Sequence, residues 1–123
     1  MTTTAPLILI VDDDIDIRDT LSLACSLMGY SVIIATNRDQ ALELLEHQMP
    51  DLILLDLAMP GLTIEPFLQR VKEYESAPPV VLMTAWDAAA TASRLKIKHH
   101  IAKPFDLDTL EETIRASLND KAI

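Results

Sequence analysis

The sequence has few aromatic residues and a single cysteine. Aromatic side chains make up 4% of its 123 residues, although 50% of the chain is hydrophobic. The core must therefore be aliphatic, which suits a layered α/β structure, and one domain of this length needs neither disulfide nor metal to fold. Cys25 cannot form an internal disulfide, which fits a reducing compartment. Its apolar neighbours predict a small, buried hydrophobic residue.

Basic residues and long apolar runs are also scarce. Ten Lys and Arg residues oppose 19 Asp and Glu, giving a formal charge of −9. This sign disfavours direct binding of nucleic acid, which needs clustered cations to neutralise phosphates. The apolar run near the N-terminus, Leu7–Val11, is too short for a signal peptide or a membrane span, and no basic segment precedes it. These features predict a cytoplasmic protein that contacts neither nucleic acid nor membrane.

Short apolar runs of strand length recur along the chain. Most are continuous and rich in branched residues, as in strands that are buried on both faces. Five strands are predicted, at Leu7–Val11, Ser31–Ala35, 52–55, 80–83 and 98–102. Helical patterns separate and follow them. The fold class predicted is therefore α/β, with one parallel sheet, right-handed connections and helices on both faces.

Helix boundaries are marked by capping residues. Gly29 stands where the first helix ends, Asn37 with Gln40 resembles a capping box at the second, and Asp106 is expected to cap the fifth. The fourth helix, over residues 87–95, is rich in alanine and has only a modest apolar face. One face of the last helix is expected to be buried, formed by Leu107, Leu110, Ile114 and Leu118.

Polar residues stand where the predicted strands end. Asp12 and Asp13 follow the first strand, Asp56 the third, Thr84 the fourth and Lys103 the fifth. Parallel strands bring their carboxyl ends to one edge of the sheet, where ligands bind in such folds. These five residues are therefore the candidate site. Each alone could equally be a helix cap or a solvated loop residue, as we expect of Asp14 and Asp16, but the combination is specific.

The central stretch runs from four apolar residues, 52–55, into Asp56, and a turn is predicted at Met59-Pro60-Gly61. Three carboxylates that converge on one edge repel one another, so a shared hard cation best explains them, and Mg²⁺ is the expected ion. Mg²⁺ prefers to bind together with phosphate oxygens. Asp56 stands alone and is the expected nucleophile toward phosphorus.

Lys103 and Thr84 suit the oxygens of a transferring phosphoryl group. The lysine supplies a point charge and the threonine a hydroxyl donor. Four segments of the chain resemble the signature segments of bacterial response regulator receiver domains. They are Ile10-Val11-Asp12-Asp13-Asp14, Leu54 to Gly61, Met83-Thr84-Ala85 and Lys103-Pro104-Phe105.

The resemblance spans the chain and implies a flavodoxin-like fold with strand order 2-1-3-4-5, one receiver domain over residues 1–123 with a core of about 6–119, and no output domain. It implies that Asp56 accepts a phosphoryl group from a sensor histidine kinase or phosphotransfer protein, with Mg²⁺ on Asp12, Asp13 and the Ala58 backbone carbonyl. Thr84 and Lys103 then contact the phosphate. The resemblance further implies that catalysis is confined to the protein's own phosphorylation and dephosphorylation.

The resemblance also implies that phosphorylation repacks the surface of helix four, strand five and helix five. That surface would bind a downstream protein, a missing output domain or a second copy of the chain. The family commonly has an aromatic switch residue three positions before the lysine, where this chain has His100. His100 is either a switch partner of Thr84 or an exposed histidine without a special role. A basic run at residues 94–100 is either a partner-facing patch or a solvated strand edge.

The segment between Thr84 and Lys103 is short for the family, so helix four is expected to be truncated or irregular. Two other functions are considered. One is an interaction module with the same fold that no longer switches. The other is a phosphohydrolase of the haloacid dehalogenase type, since Asp12-Asp13-Asp14 contains Asp-x-Asp, but such an enzyme leaves Asp56 unexplained.

Overall fold

The computed structural model describes residues 5–58 and 63–122. Within them five strands alternate with five helices. The strands are β1 Leu7–Val11, β2 Ser31–Ala35, β3 Leu52–Asp56, β4 Val80–Thr84 and β5 His99–Ala102. The helices are α1 Ile15–Leu27, α2 Arg38–Leu45, α3 Ile64–Lys72, α4 Ala88–Arg94 and α5 Leu107–Ala122. All strand pairs are parallel, in the order β2-β1-β3-β4-β5. The predicted fold class and strand order are confirmed.

Strand β3 lies at the centre of the sheet and is buried along its whole length. Its register with β1 pairs Val11 with Leu55. Asp12, the residue after β1, therefore comes next to Asp56, the last residue of β3. On its other side Asp56 pairs with Met83, one residue before the end of β4. The register therefore brings three strand ends to the same level of the carboxyl edge.

Two apolar clusters cover the two faces of the sheet. Leu9, Ile53 and Leu82 point to the cluster that includes residues of α2, α3 and α4. Residues of opposite parity in the strands point to the second cluster, with α1 and α5. Cys25 is fully buried there, and burial raises the pKa of its thiol to about 11. The prediction that Cys25 is a buried apolar residue is confirmed.

The predicted helix caps are present. The Asp14 carboxylate accepts hydrogen bonds from two first-turn N–H groups of α1. The Asn37 side chain accepts from the Gln40 N–H at 2.7 Å, and the Gln40 side chain accepts from the N–H of Thr36 at 2.6 Å. Asp106 accepts from an N–H in the first turn of α5. Local hydrogen bonding thus sets where these helices begin.

Helix α4 is short, as expected, and irregular at its start. It has seven residues, two fewer than the predicted 87–95, and Asp87 before it has a left-handed backbone with φ of 44°. Strand β5 begins at His99 rather than at residue 98.

The prediction that Leu107 is buried is wrong. Leu107 is 55% exposed, whereas Leu110 and Ile114 are fully buried. The buried face of α5 begins one turn later because the partly buried Phe105, just before the helix, already packs on that cluster.

The turn predicted at Met59-Pro60-Gly61 lies outside the described residues. In the part of the chain that is described, no helix combines the length and apolar character needed to cross a membrane.

Candidate functional site

The candidate site lies at the carboxyl edge of the sheet, where Asp12 follows β1, Asp56 ends β3, Thr84 ends β4 and Lys103 follows β5. Asp12 is fully buried, and Asp56 and Thr84 are 5% and 6% exposed. The backbone N–H of Lys103 donates to the Thr84 carbonyl at 2.9 Å, which extends the pairing of β4 and β5 to the site. The parallel sheet thus brings together residues separated by up to 91 positions in the chain.

Lys103 joins the two buried carboxylates. Its Nζ donates to Asp56 Oδ1 at 3.0 Å and to Asp12 Oδ2 at 3.3 Å. The Lys103 side chain is 18% exposed. Burial by itself lowers the pKa of Lys103, but the bonds and charges of the two aspartates outweigh it, and the pKa is raised. The ammonium is therefore charged over the whole neutral range.

The environment of Asp56 disfavours the charged form of its carboxyl group. Burial raises the pKa of its carboxyl group, and the negative charge of Asp12 adds to this effect. The hydrogen bond from Lys103 and a backbone hydrogen bond from Ala58 act in the opposite direction, without cancelling the rise. A buried carboxylate whose charge is not fully compensated favours a further cation at the site.

A hard cation fits the acidic group. Asp12, Asp13 and Asp56 each offer a carboxylate oxygen, and these oxygens lie within 4.8 Å of one another. Asp13 is exposed, so the group opens to solvent on that side. Carboxylate oxygens on an open edge are the donor set of Mg²⁺, which keeps several of its waters. Together these residues could hold a metal ion.

The Thr84 hydroxyl lies in a tight turn with Trp86. Its oxygen accepts a hydrogen bond from the backbone N–H of Trp86 at 3.2 Å and lies 3.4 Å from the Trp86 carbonyl oxygen. The Trp86 side chain is 81% exposed. The hydroxyl can therefore leave a weak local bond for an oxygen at the site.

Known proteins place this arrangement in a family. The family model for the response regulator receiver domain matches residues 8–115. The chain is a response regulator receiver domain. It belongs to two-component signalling, in which this domain is a phosphorylation-dependent switch, and neither the haloacid dehalogenase nor the interaction-module alternative is favoured.

Two relatives of this receiver domain differ greatly in length. Sporulation initiation phosphotransferase F of Bacillus subtilis is 36% identical over 114 residues, which are 90% of this chain and 92% of that protein. Regulatory protein AtoC of Escherichia coli is 37% identical over 114 residues, again 90% of this chain but 25% of that protein. The chain therefore spans nearly all of one relative and a quarter of the other.

The fold of the receiver domain is also found among solved structures. The Vibrio cholerae chemotaxis protein CheY4 superposes with a TM-score of 0.82 at 25% identity, covering 93% of this chain and 99% of that one.

Two sequence-predicted residues of this receiver, His100 and Ala58, are exposed to solvent. His100 is exposed on β5 and pairs with Leu82, two residues before Thr84 in the neighbouring strand. Ala58 is exposed two residues beyond Asp56. Its carbonyl as a metal ligand and His100 as a switch residue stay predictions.

Sequence reasoning missed Arg38. This first residue of α2 is 3% exposed, and its guanidinium donates to the backbone carbonyls of Asp56 and Leu57. In the sequence Arg38 follows a helix cap in a polar stretch, a pattern typical of a solvated charge. Only the tertiary structure, in which its side chain reaches across to the backbone at the end of β3, puts it beside the site.

Proposed function

We propose that this receiver domain works by accepting a phosphoryl group on Asp56 from a sensor histidine kinase or a phosphotransfer protein. The observation that supports this most directly is the position of Asp56. Its buried carboxylate bonds to Lys103 and shares an open acidic edge with Asp12 and Asp13. Asp56 is the nucleophile: the Lys103 ammonium lies on one side of its carboxylate, and the acidic edge on the other side can take a metal cation.

In the proposed reaction an Asp56 carboxylate oxygen attacks phosphorus and forms the new O–P bond. The bond from phosphorus to the donor's leaving group breaks, and its electron pair leaves with that group. Lys103 neutralises charge on the phosphoryl oxygens, and the Thr84 hydroxyl donates a hydrogen bond to one of them. Mg²⁺, held by Asp12, Asp13, Asp56 and the Ala58 carbonyl, would add positive charge to the same oxygens.

Water later hydrolyses the acyl phosphate and restores the Asp56 carboxylate. The domain thus promotes its own phosphorylation and dephosphorylation.

Intact-mass measurement tests this proposal. Wild-type protein incubated with Mg²⁺ and acetyl phosphate is expected to gain the mass of one phosphoryl group, and to gain none when a chelator removes the metal. Asp56→Asn is expected to abolish the gain, whereas Asp39→Asn, at an exposed aspartate of α2, keeps it. An unmodified wild type, or an Asp56→Asn variant that is still modified, refutes the assignment.

We propose that the signal leaves through the surface formed by α4, β5 and α5, toward an acidic or mixed-charge protein partner, a linked output domain or a second copy. Some cations of the basic run already have neighbours. Lys98 Nζ lies 3.0 Å from Asp120, and Arg94 lies 3.9 Å from Glu65 at an exposed position. Such exposed pairs hold loosely, so a partner can exchange them for its own charges.

Amide NMR spectra test this proposal separately from phosphorylation. Phosphorylation is expected to shift the amide signals of α4 and β5 more than those of α2. If the protein is phosphorylated while the α4 and β5 signals stay in place, the domain is an interaction module that does not switch.

A further inference from the structure

Arg38 is a buried cation at the acceptor end of the sheet. It is 3% exposed, and its guanidinium donates to the Leu57 carbonyl and, at 3.4 Å, to the Asp56 carbonyl. These are consecutive backbone carbonyls where β3 leads into the following loop. The arginine thus reaches from α2 to the backbone of the site.

The position of Arg38 is unfavourable for the helix that carries it. A cation in the first turn of a helix opposes the helix dipole. Burial lowers the pKa of Arg38, while the Asp56 charge partly offsets this, and an arginine stays protonated even so. Its guanidinium donates instead to the carbonyls at the end of β3, away from the helix axis of α2.

The Leu57 carbonyl belongs to the same peptide unit as the Ala58 N–H. A peptide unit is planar, so a bond that fixes its carbonyl also fixes the direction of its N–H. The Ala58 backbone lies near enough to the Asp56 carboxylate to lower the pKa of that group. The N–H of Leu57 donates to the Met83 carbonyl at 3.1 Å, which fixes the preceding unit. Arg38 is thus connected to the acceptor carboxylate through one planar group.

We propose that Arg38 is a positioning residue for the acceptor loop: by holding the Leu57–Ala58 peptide it aims the Ala58 N–H at the Asp56 carboxylate and places Ala58 for metal binding. This role rests on the proposed phosphorylation of Asp56. Removal of a residue that orients the ligands of a metal typically changes metal affinity or activity by ten- to a hundredfold.

Three variants test the role. Arg38→Met keeps an unbranched apolar side chain about as long as the aliphatic stem of arginine and removes the charge and the donors. Arg38→Lys keeps the charge but replaces the planar fork with a point donor. Arg70→Met is the matched control, because Arg70 is an exposed arginine of α3 paired only loosely with Glu73 at 3.5 Å.

Mg²⁺ affinity is measured by titration of the fluorescence of Trp86, the single tryptophan, whose backbone N–H donates to the Thr84 hydroxyl at the site. Isothermal titration gives the same constant independently. In Arg38→Met the dissociation constant for Mg²⁺ is expected to rise roughly tenfold. Arg38→Lys is expected to fall between this variant and wild type, and Arg70→Met to equal wild type.

The rate of phosphorylation by acetyl phosphate separates positioning from general stability. In Arg38→Met the rate is expected to drop more at low Mg²⁺ than at saturating Mg²⁺. A purely structural arginine would lower the urea midpoint and leave the Mg²⁺ constant of the folded protein unchanged, which overturns the proposal. If Arg38→Met does not fold, Arg38→Lys decides by the same criterion.

The outcome also separates this inference from the proposed function. A wild type that gains no phosphoryl mass refutes Asp56 as the acceptor. A wild type that is phosphorylated, with Arg38→Met equal to it in Mg²⁺ affinity and rate, refutes only the role of Arg38.

Discussion

Lys103 lies between two carboxylates that the fold removes from water. The Asp12 and Asp56 side chains are 1% and 7% exposed, and the Lys103 ammonium contacts both. Two such carboxylates next to each other are unfavourable without a cation. The lysine therefore stabilises the folded protein as well as serving the proposed reaction, and a bound metal ion can take over part of the first role.

Lys103→Met is expected to lower the free energy of unfolding by about 3 kcal/mol in the absence of Mg²⁺, because it leaves two buried carboxylates without their cation. Added Mg²⁺ is expected to recover part of the loss. Urea unfolding with and without the ion measures both effects.

The combined variant Lys103→Met/Asp56→Asn provides the control for this prediction. With one carboxylate neutral, removal of the lysine is expected to cost less than in the wild-type background. Equal costs in the two backgrounds would mean that Lys103 acts by packing alone.

At the scale of the element, α1 and α4 end in the same backbone motif with different residues. After α1 the N–H of Tyr30 donates to the Cys25 carbonyl at 3.0 Å, and Gly29 between them has φ of 92°. After α4 the N–H of Ile97 donates to the Ala92 carbonyl at 2.8 Å, but the left-handed residue is Lys96, with φ of 61°. Both ends are Schellman motifs, and glycine is used at only one of them.

Lys96→Gly is expected to raise the free energy of unfolding by about 0.5–1 kcal/mol, because a left-handed backbone costs a residue with a Cβ more than it costs glycine. Gly29→Ala is expected to lower it by about 1 kcal/mol. A Cβ at Gly29 would meet no atom within 4 Å, so that cost is conformational. Urea midpoints measure both changes.

Lys96→Ala is the matched variant, since it shortens the side chain and keeps the left-handed strain. If Lys96→Ala stabilises the protein as much as Lys96→Gly does, the gain comes from the lost lysine charge and the backbone argument is wrong.

For the whole molecule, two contacts of Asp120 link helix α5 to the edge strand of the sheet. The Asp120 carboxylate near the end of α5 lies 2.6 Å from His99 Nε2, and Lys98 Nζ lies 3.0 Å from it. The hydrogen bond from His99, followed by that from Lys98, lowers the pKa of Asp120. These contacts link α5 to the amino end of β5, at the opposite end of that strand from the candidate site.

Asp120→Asn is expected to lower the urea midpoint at neutral pH. Because the pKa of Asp120 is lowered in the folded state, its contribution to stability is fully present above the ordinary aspartate value of 3.8 and is lost as pH falls through the folded value. The midpoints of wild type and variant are therefore expected to converge in acid.

Glu112→Gln, at an exposed carboxylate of the same helix, is the control and is expected to show no such convergence. A constant difference between Asp120→Asn and wild type from neutral to acidic pH would show that the titration of Asp120 contributes nothing.

The sequence by itself determined the elements and the order of the site residues along the chain. Unbroken apolar runs such as Leu52 to Leu55 form strands only when both faces are buried, which requires helices on both sides. The caps at Asp14, Asn37 and Asp106 are hydrogen bonds to N–H groups at most three residues further along the chain. A short stretch of sequence is therefore enough to predict them.

Tertiary structure alone decided what distant residues do to one another. The start of the buried face of α5 depends on where Phe105 packs. The spacing of apolar residues along the helix carries no information about that position. The rise in the pKa of Asp56 depends on its burial and on neighbours from other strands. Arg38 reaches the site only in the folded protein, where its guanidinium donates to the backbone at the end of β3. Side-chain burial and charge coupling between elements are set by packing in three dimensions, and a one-dimensional pattern carries neither.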